Sequence, residues 1–427
     1  MVSPQAAGSL SQWFGKAPSL FRRRMSGGHY RPEIDGLRFF AIAIVMIGHA
    51  NERAVRFFPS AERLTADHPA LAILERGGLG VLLFFAISGF IIATQSRKSA
   101  DNPLSGAFLS SYFKRRILRI EPPYMLLLVA TWLAITLTGF RPAGAPHFDS
   151  QPQSLTLSLI GSLFYLHDTI WGSYPRLFPP GWSLEAEVQF YVVAPLLFWA
   201  WFRAPGSRLR VALGLAALAL STLVAIEAPA SIGPFFTDKG ILRFFPFFWV
   251  GILLADLRPA IAAAMQKAPS AAAAAIGWLG LIVFVTLPSP QAFAADMAAH
   301  FARYAAIAAM FASAWAAQGA FARFCSRPWI SLVGGACYSL YLVHLQTSQV
   351  IASAAAKILG DASLPAVGAL IVLQLTAMTV AGLVFYVTIE RFFMIPDWPA
   401  LARRTLTAAW KRDKSADVSG RFTSRAP

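Results

Sequence analysis

The sequence predicts an all-α polytopic membrane protein with about ten transmembrane helices and both termini in the cytoplasm. Of its 427 residues, 56% are apolar and only 14% are charged, against about 25% charged residues in an ordinary soluble domain. The mean hydropathy is +0.54, and apolar runs near the ~20 residues that a helix needs to cross a bilayer recur along the chain. This composition excludes a soluble globular enzyme, a disordered chain and, with two cysteines, a disulfide scaffold.

Ten apolar runs are long enough to form helices across a bilayer. Several contain proline, which transmembrane helices tolerate where neighbouring helices pack against them. A shorter apolar piece, residues 155–166, is predicted to be interfacial or re-entrant, and the Ala-rich tract 260–275 is predicted to be a loop leading into a helix. The predicted spans are residues 37–56, 78–96, 117–139, 184–203, 209–226, 241–257, 270–288, 301–320, 331–353 and 365–390.

Basic polar segments flank the spans. Residues 1–30 are predicted to be a cytoplasmic arm and residues 392–427 a cytoplasmic tail, on either side of a transmembrane domain of residues 31–391. With the N-terminus in the cytoplasm, most of the 37 Lys and Arg residues fall on the cytoplasmic side, as the positive-inside rule requires. Topology therefore accounts for the net charge of +16, and no nucleic-acid partner is expected.

Arg38 and His49 mark the two ends of the first span. Ionisable residues inside a span are costly, so each is a candidate for function. The two side chains are close to three helical turns apart, about 16 Å along the axis, and therefore share roughly one face. His49 falls in the outer half of the membrane, where an imidazole suits a general base. The alternative is a buried histidine bonded to a backbone carbonyl.

Two arginines stand at the cytoplasmic start of the third span. Arg116 and Arg119 are three residues apart and share a helix face. Together with Arg38 they could bind phosphate groups through the bidentate geometry of the guanidinium. The alternative is an ordinary cluster of positive charge at the inner membrane surface.

Further polar residues occur at the outer start of the fourth span and inside the ninth. Ser183 is expected to cap the fourth helix, and Glu185 in its first turn favours the helix dipole. Glu187 falls near the predicted depth of His49, where a carboxylate could orient and charge-balance an imidazole. His344 also falls in the outer half, where it either hydrogen-bonds an acceptor molecule or has a purely structural role.

Six motifs follow one another along the chain. In this order they resemble the acyltransferase-3 family of bacterial and eukaryotic membrane O-acyltransferases, over about residues 31–391 and in the stand-alone form without a fused periplasmic esterase-like domain. The fourth motif departs from the usual Glu-Glu doublet, and its register makes Glu187 the matching acid. The motifs are Arg31-Pro-Glu-Ile-Asp-Gly-Leu-Arg38 with His49, Phe84-Phe-Ala-Ile-Ser88-Gly89-Phe90, Arg116-x-x-Arg119-Ile, Trp182-Ser183-Leu-x-x-Glu187-x-Gln-Phe-Tyr191, Tyr338-Ser-Leu-Tyr-Leu-Val-His344 and Ile389-Glu390-Arg391.

The resemblance implies acyl transfer from acyl-CoA to a hydroxyl group, usually on a carbohydrate. His49 would then remove the proton of the acceptor hydroxyl or take the acyl group itself, and Glu187 would orient the imidazole. Donor binding would fall to the three arginines at the inner face. The residues expected to line or support the acceptor site are Trp182, Ser183, Tyr191 and His344.

The expected ligands and partners follow from the same resemblance. Acyl-CoA is a substrate, with acetyl-CoA as the default, and no permanently bound cofactor or metal is expected because the His and acidic residues lack ligand spacing. Membrane lipids, a carbohydrate acceptor and polysaccharide-assembly proteins are the expected partners, in the bacterial inner membrane. The competing hypothesis is a secondary transporter of a small anionic or glycan-related substrate, against which no internal repeat is apparent.

Overall fold

The computed structural model describes residues 18–21, 30–58, 60–61, 69–97, 103–139, 148, 153–204, 206–227, 239–287, 293–316, 318–360, 362–395, 398–400 and 403. These residues are helical or connect helices, and none of them forms a strand. We number the α-helices in chain order: α1 Pro32–Phe57, α2 Gly78–Ser96, α3 Gly106–Thr138, α4 Leu155–Leu163, α5 His167–Trp171, α6 Trp182–Arg203, α7 Ser207–Glu227, α8 Ile241–Lys267, α9 Ser270–Thr286, α10 Phe293–Ala314, α11 Ala320–Cys325, α12 Pro328–Gly335, α13 Cys337–Leu359, α14 Leu364–Phe385 and α15 Arg391–Phe393.

Each of the ten predicted spans overlaps one or two of these helices. By length and composition, five described helices are able to cross a membrane: α2, α3, α7, α8 and α14 with its continuation to Phe393. Helices α12 and α13 meet at a bend of 72° and add a sixth if they are counted as one span. The protein is therefore a multi-pass helical membrane protein, whereas the number of ten spans and the cytoplasmic placement of both termini stay predictions.

Helix continuity differs from the expectation at one place. The Ala-rich tract 260–275 is not a loop, because α8 continues to Lys267 and α9 begins at Ser270. Alanine has the highest helix propensity, which favours this extension. Prolines inside α3, α6 and α8 leave those helices unbroken, as expected for helices whose neighbours pack against them.

The centre of the bundle is formed by α1, which packs against α2, α12, α13 and α14, while α2 packs along α8. The α2–α8 contact is a backbone contact made possible by two glycines. A Cβ on Gly89 would overlap the carbonyl of Phe248, and a Cβ on Gly251 would overlap the carbonyl of Ala86. Small residues allow such close approach between membrane helices. The glycine of the second motif is thus explained by packing.

Replacing Gly251 with valine is expected to force α2 and α8 apart. Overpacking of this kind costs about 1–3 kcal/mol of the free energy of unfolding, measurable as a lower thermal unfolding midpoint of the purified protein in detergent. Gly368→Val on α14 is the matched control, because a Cβ there meets open space. Equal midpoints for Gly251→Val and the wild type would contradict the close contact.

The segment between α3 and α6 contains only short helices. Helices α4 and α5 are nine and five residues long, too short to span a membrane, as expected for the piece 155–166. The predicted arm 1–30 and tail 392–427 lie for the most part outside the described residues, so the domain limits stay predictions.

Candidate active site

His49 lies in the C-terminal half of α1 and is hydrogen-bonded to a carboxylate on the same helix. Its Nδ1 is 2.8 Å from Oε2 of Glu52, three residues further on, a spacing that brings side chains together on a helix surface. An ionised carboxylate only accepts, so a neutral His49 carries its proton on Nδ1. Nε2 then holds a lone pair, which is the tautomer that a general base needs.

Two arginines hold Glu52 in its charged form. Its Oε1 accepts from Nη1 of Arg53 at 2.9 Å and from Nη2 of Arg56 at 2.8 Å. The carboxylate is thus fixed between two guanidiniums and one imidazole, and it remains available to stabilise a positive charge on His49. Sequence reasoning missed Glu52, although its position three residues after His49 was a usable signal.

A second imidazole faces the first. The rings of His49 and His344 have their centroids 5.0 Å apart, so α1 and α13 bring both predicted histidines to one place. His344 is fully buried; its Nδ1 is 2.6 Å from the carbonyl oxygen of Tyr341, and its Nε2 has no hydrogen-bond partner among the described residues. A buried acceptor without a partner is costly, and a hydroxyl group that reaches Nε2 would satisfy it.

Glu187 has other partners than the sequence suggested. Its Oε1 accepts a hydrogen bond from Ser88 Oγ at 2.6 Å and another from the hydroxyl of Tyr191. The carboxylate that contacts His49 is that of Glu52, which corrects the expected His49–Glu187 pairing. The reason is geometric: a neighbour on the same helix reaches the imidazole, while Glu187 links α6 to the second motif on α2. A catalytic role for Glu187 stays a prediction.

The three predicted donor-binding arginines differ in their surroundings. Arg38 forms an ion pair with Asp35 at 2.7 Å, and Arg119 lies 3.8 Å from the buried Glu390. Arg116 lies between two aromatic rings, 4.2 Å from the ring centroid of Tyr112 and 4.7 Å from that of Tyr191. Its Nε is buried and has no hydrogen-bond partner among the described residues. Arg116 is therefore the best placed of the three to accept an anionic ligand.

The residues expected to support the acceptor site connect α6 to the histidines. Ser183 Oγ is 2.8 Å from the hydroxyl of Tyr341, the residue whose carbonyl contacts His344. The hydroxyl of Tyr191 instead donates a hydrogen bond to Glu187. Trp182 packs against Phe244, with ring centroids 5.1 Å apart. Of Trp182, Ser183 and Tyr191, Ser183 is the one that the structure connects to the histidine pair, through Tyr341.

The family model described as an acyltransferase domain matches residues 31–391. The chain belongs to the acyltransferase-3 family. The match covers the same range as the six motifs. No solved structure matches the chain.

Curated relatives from the comparison align with less than half of this chain. Nodulation protein 10 of Rhizobium leguminosarum bv. viciae is 30% identical over 42% of this chain and 47% of its own length. Acyltransferase MdmB of Streptomyces mycarofaciens is 28% identical over 47% of this chain and 48% of its own length. Peptidoglycan O-acetyltransferase OatA of Listeria monocytogenes is 24% identical over 47% of this chain and 30% of its own length. The chain thus spans less than half of each of these relatives.

Glu185, the extra acid of the fourth motif, anchors the segment of short helices between α3 and α6. Its carboxylate accepts from the backbone N–H groups of Asp168 and Thr169 at 3.0 and 2.9 Å and from the hydroxyl of Thr169 at 2.7 Å. Glu185 therefore binds the start of α5, in addition to its expected effect on the dipole of its own helix. Gln189 adds to the anchor, donating to Thr169 Oγ1 at 3.2 Å.

His167 organises the same segment of the acyltransferase-3 domain, although the sequence assigned it no role. It is fully buried. Its Nδ1 donates to the carbonyl of Ser173 at 3.1 Å, and its Nε2 accepts from Gln153 at 2.9 Å and Ser158 at 3.0 Å. Both ring nitrogens are thus satisfied in the neutral form, and burial lowers the pKa of His167 from 6.5 to about 4.

This lowered pKa predicts a loss of stability in acid. The unfolded chain binds a proton at His167 below pH 6.5, whereas the folded chain does so only near its pKa of about 4, so stability falls as the pH decreases between these values. We expect His167 to contribute about 1–2 kcal/mol of the loss between pH 7 and pH 5. Thermal unfolding of the wild type and His167→Gln at both pH values measures it, and an identical pH dependence in the two proteins would contradict the prediction.

Proposed function

We propose that this chain is an integral membrane O-acyltransferase that moves an acyl group, by default acetyl, from acyl-CoA to a hydroxyl of a cell-surface or lipid-linked carbohydrate. The observation that carries the proposal is the His49–Glu52 pair inside an acyltransferase-3 domain. The names of relatives from Listeria monocytogenes and Bacillus subtilis, which describe peptidoglycan O-acetyltransferases, support the choice of acetyl and of a carbohydrate acceptor.

In the proposed reaction, Nε2 of His49 takes the proton of the acceptor hydroxyl as its oxygen attacks the thioester carbonyl carbon. The carbon–sulfur bond breaks, and the imidazolium returns its proton to the departing thiolate, which leaves as CoA. Glu52 stabilises the imidazolium through its hydrogen bond to Nδ1. His344 Nε2 accepts a hydrogen bond from a second hydroxyl of the carbohydrate, which holds the acceptor beside His49.

Donor binding is proposed to centre on Arg116. The phosphates of CoA need cations, and the guanidinium of Arg116, which lies against the rings of Tyr112 and Tyr191, is held in place for bidentate contact. Arg38 and Arg119 are proposed to add positive charge on the same side, which the predicted topology places at the cytoplasm. The pantetheine arm would then extend along the bundle toward His49.

Arg116→Ala is expected to weaken acetyl-CoA binding by about tenfold, because one charge-assisted phosphate contact is lost, and Arg116→Lys should recover only part of it. Arg115→Ala is the matched control, since Arg115 is exposed and bonds Ser111 on the same helix. The measurement is the Kd of acetyl-CoA for the purified protein in nanodiscs. An unchanged Kd in Arg116→Ala, and also in an Arg116/Arg119 double alanine variant, would overturn the donor site.

The proposed setting is the inner membrane of a bacterium, where cytoplasmic acyl-CoA and an outward-facing glycan meet across one protein. Membrane lipids and proteins that assemble polysaccharide are the proposed partners. A strain lacking the protein should lose an ester from its surface glycan, and restoring the gene should restore it.

A further inference from the structure

A backbone carbonyl in the first half of α3 is deprived of its usual helical hydrogen bond. In an α-helix the carbonyl of each residue accepts from the N–H of the residue four positions further on. Four positions after Leu118 stands Pro122, inside the helix, and proline has no N–H. The freed carbonyl of Leu118 needs a donor from another part of the protein, as freed backbone groups of membrane helices do.

Trp398 supplies that donor. Its indole Nε1 donates to the carbonyl oxygen of Leu118 at 3.1 Å. An indole nitrogen only donates and a carbonyl oxygen only accepts, so the two groups match. Trp398 lies beyond the range 31–391 that the family model covers, in the part of the chain predicted to be a cytoplasmic tail. The contact therefore ties the beginning of that part of the chain to a helix of the acyltransferase-3 domain.

Aromatic packing holds the indole of Trp398 in place. The centroids of its ring and the ring of Phe393 on α15 are 4.9 Å apart, with the ring planes nearly perpendicular, which is a preferred geometry of aromatic pairs. The ring of Phe392 lies 6.0 Å away, and the backbone N–H of Trp398 donates to the carbonyl of Ile395 at 3.1 Å. We call residues 391–395 and Trp398 the C-terminal anchor.

The bonded carbonyl belongs to the turn of α3 that carries two of the predicted donor-binding arginines. Arg119 directly follows Leu118, and Arg116 precedes Leu118 by two residues. The same turn has a second contact near the C-terminal anchor, because Nη2 of Arg119 lies 3.8 Å from Oε1 of Glu390, the residue directly before α15. The end of α14 and the C-terminal anchor therefore contact α3 twice at this one turn.

Two consecutive prolines make this turn depend on contacts from outside α3. Pro122 and Pro123 remove two neighbouring N–H groups, so the carbonyls of Leu118 and Arg119 both lack the usual partner four residues further on. Helices bend most easily at such places. The direction of the Arg116 guanidinium depends on the rotation of the same turn, so a contact that fixes the turn also fixes the arginine.

We propose that Trp398 is a positioning residue for donor binding: by bonding the Leu118 carbonyl, it fixes the turn of α3 that presents Arg116 and Arg119 to the phosphate groups of acyl-CoA. The inference rests on the proposed function, since it assigns the donor to these arginines. Trp398 acts through the helix and not through the donor itself. Its effect should therefore come from the indole N–H, and should vanish once the carbonyl has another donor.

The test is a double-mutant cycle in the purified full chain in nanodiscs, with the Kd of acetyl-CoA as the readout. Trp398→Phe keeps an aromatic ring but removes the N–H, and we expect it to weaken binding by about fivefold, the effect of one hydrogen bond. The KM for acetyl-CoA should rise equally and kcat should not fall. Pro122→Ala returns an N–H to α3, and in that background Trp398→Phe should change the Kd by less than about twofold.

Trp132→Phe is the matched control. It makes the same substitution on α3 and also removes an indole hydrogen bond, to Thr156 Oγ1 at 3.3 Å, but about 24 Å along the helix from Arg116. It should bind acetyl-CoA as the wild type does. Hydrogen–deuterium exchange of residues 112–121 is the second readout, and it should become faster in Trp398→Phe only while Pro122 is present.

Two results would overturn the positioning role alone: an unchanged Kd in Trp398→Phe, or an equal loss of affinity with and without Pro122. A loss of affinity in Trp132→Phe as large as that in Trp398→Phe would also contradict it. In each of these cases the wild type still binds acetyl-CoA and the proposed function stands. A wild type that binds no acetyl-CoA would instead contradict the proposed function, and this inference with it.

Discussion

His49→Ala is expected to abolish acyl transfer while the protein still inserts and folds. General-base catalysis contributes about 10²–10⁴-fold to the rate. Of the two described histidines at this site, only His49 has its ring hydrogen-bonded to a carboxylate, that of Glu52. The loss should appear in kcat, because His49 does not contact the proposed phosphate-binding arginines. The measurement is release of CoA from acetyl-CoA in the presence of a saccharide acceptor.

His49→Gln provides a second variant, which keeps a polar side chain of similar size but has no basic nitrogen. Both variants should bind acetyl-CoA with the wild-type Kd, which demonstrates that the fold is intact. Wild-type turnover in either variant would show that His49 is not the base.

Glu52→Gln is expected to lower kcat by about 10²-fold with little change in the KM for acetyl-CoA. The amide still reaches His49 but carries no charge to stabilise the imidazolium, which is the role of the third member of a catalytic triad. Glu52→Asp should recover part of the rate because it restores the charge. Glu52 acts through His49, so the separation of kcat from KM and the rescue by aspartate are the readouts that distinguish it from a structural residue.

Glu187→Gln is the direct comparison, since Glu187 was the carboxylate that the sequence favoured. Glu187 accepts hydrogen bonds from Ser88 and Tyr191, and the ring of Tyr191 contacts the guanidinium of Arg116. We therefore expect the loss of the Glu187 carboxylate to raise the KM for the donor more than it lowers kcat. A larger fall in kcat for Glu187→Gln than for Glu52→Gln would return the orienting role to Glu187.

The helices and the family were accessible from the sequence because both depend on local signals. Apolar runs of about 20 residues specify membrane helices whatever their neighbours are, and the order of six short motifs is a linear feature. The placement of His49 and His344 at similar depth also followed from counting along two helices, and the structure brings their rings together.

Side-chain pairing between helices was not accessible in the same way. Glu187 and Glu185 differ by two positions, yet Glu187 bonds Ser88 on α2, whereas Glu185 bonds the start of α5. Which partner each carboxylate meets depends on the rotation and packing of α6, which hydropathy does not encode. Glu52 was different, because its contact with His49 lies within one helix and the spacing alone predicts it.

The most direct test of the proposed function is release of CoA by the purified protein in nanodiscs, with acetyl-CoA and a soluble saccharide acceptor. We predict release of CoA that requires both substrates, together with appearance of an ester on the saccharide, and loss of both in His49→Ala. A well-folded wild type that neither binds acetyl-CoA nor releases CoA from it would contradict the proposed acyl transfer and favour the transporter hypothesis.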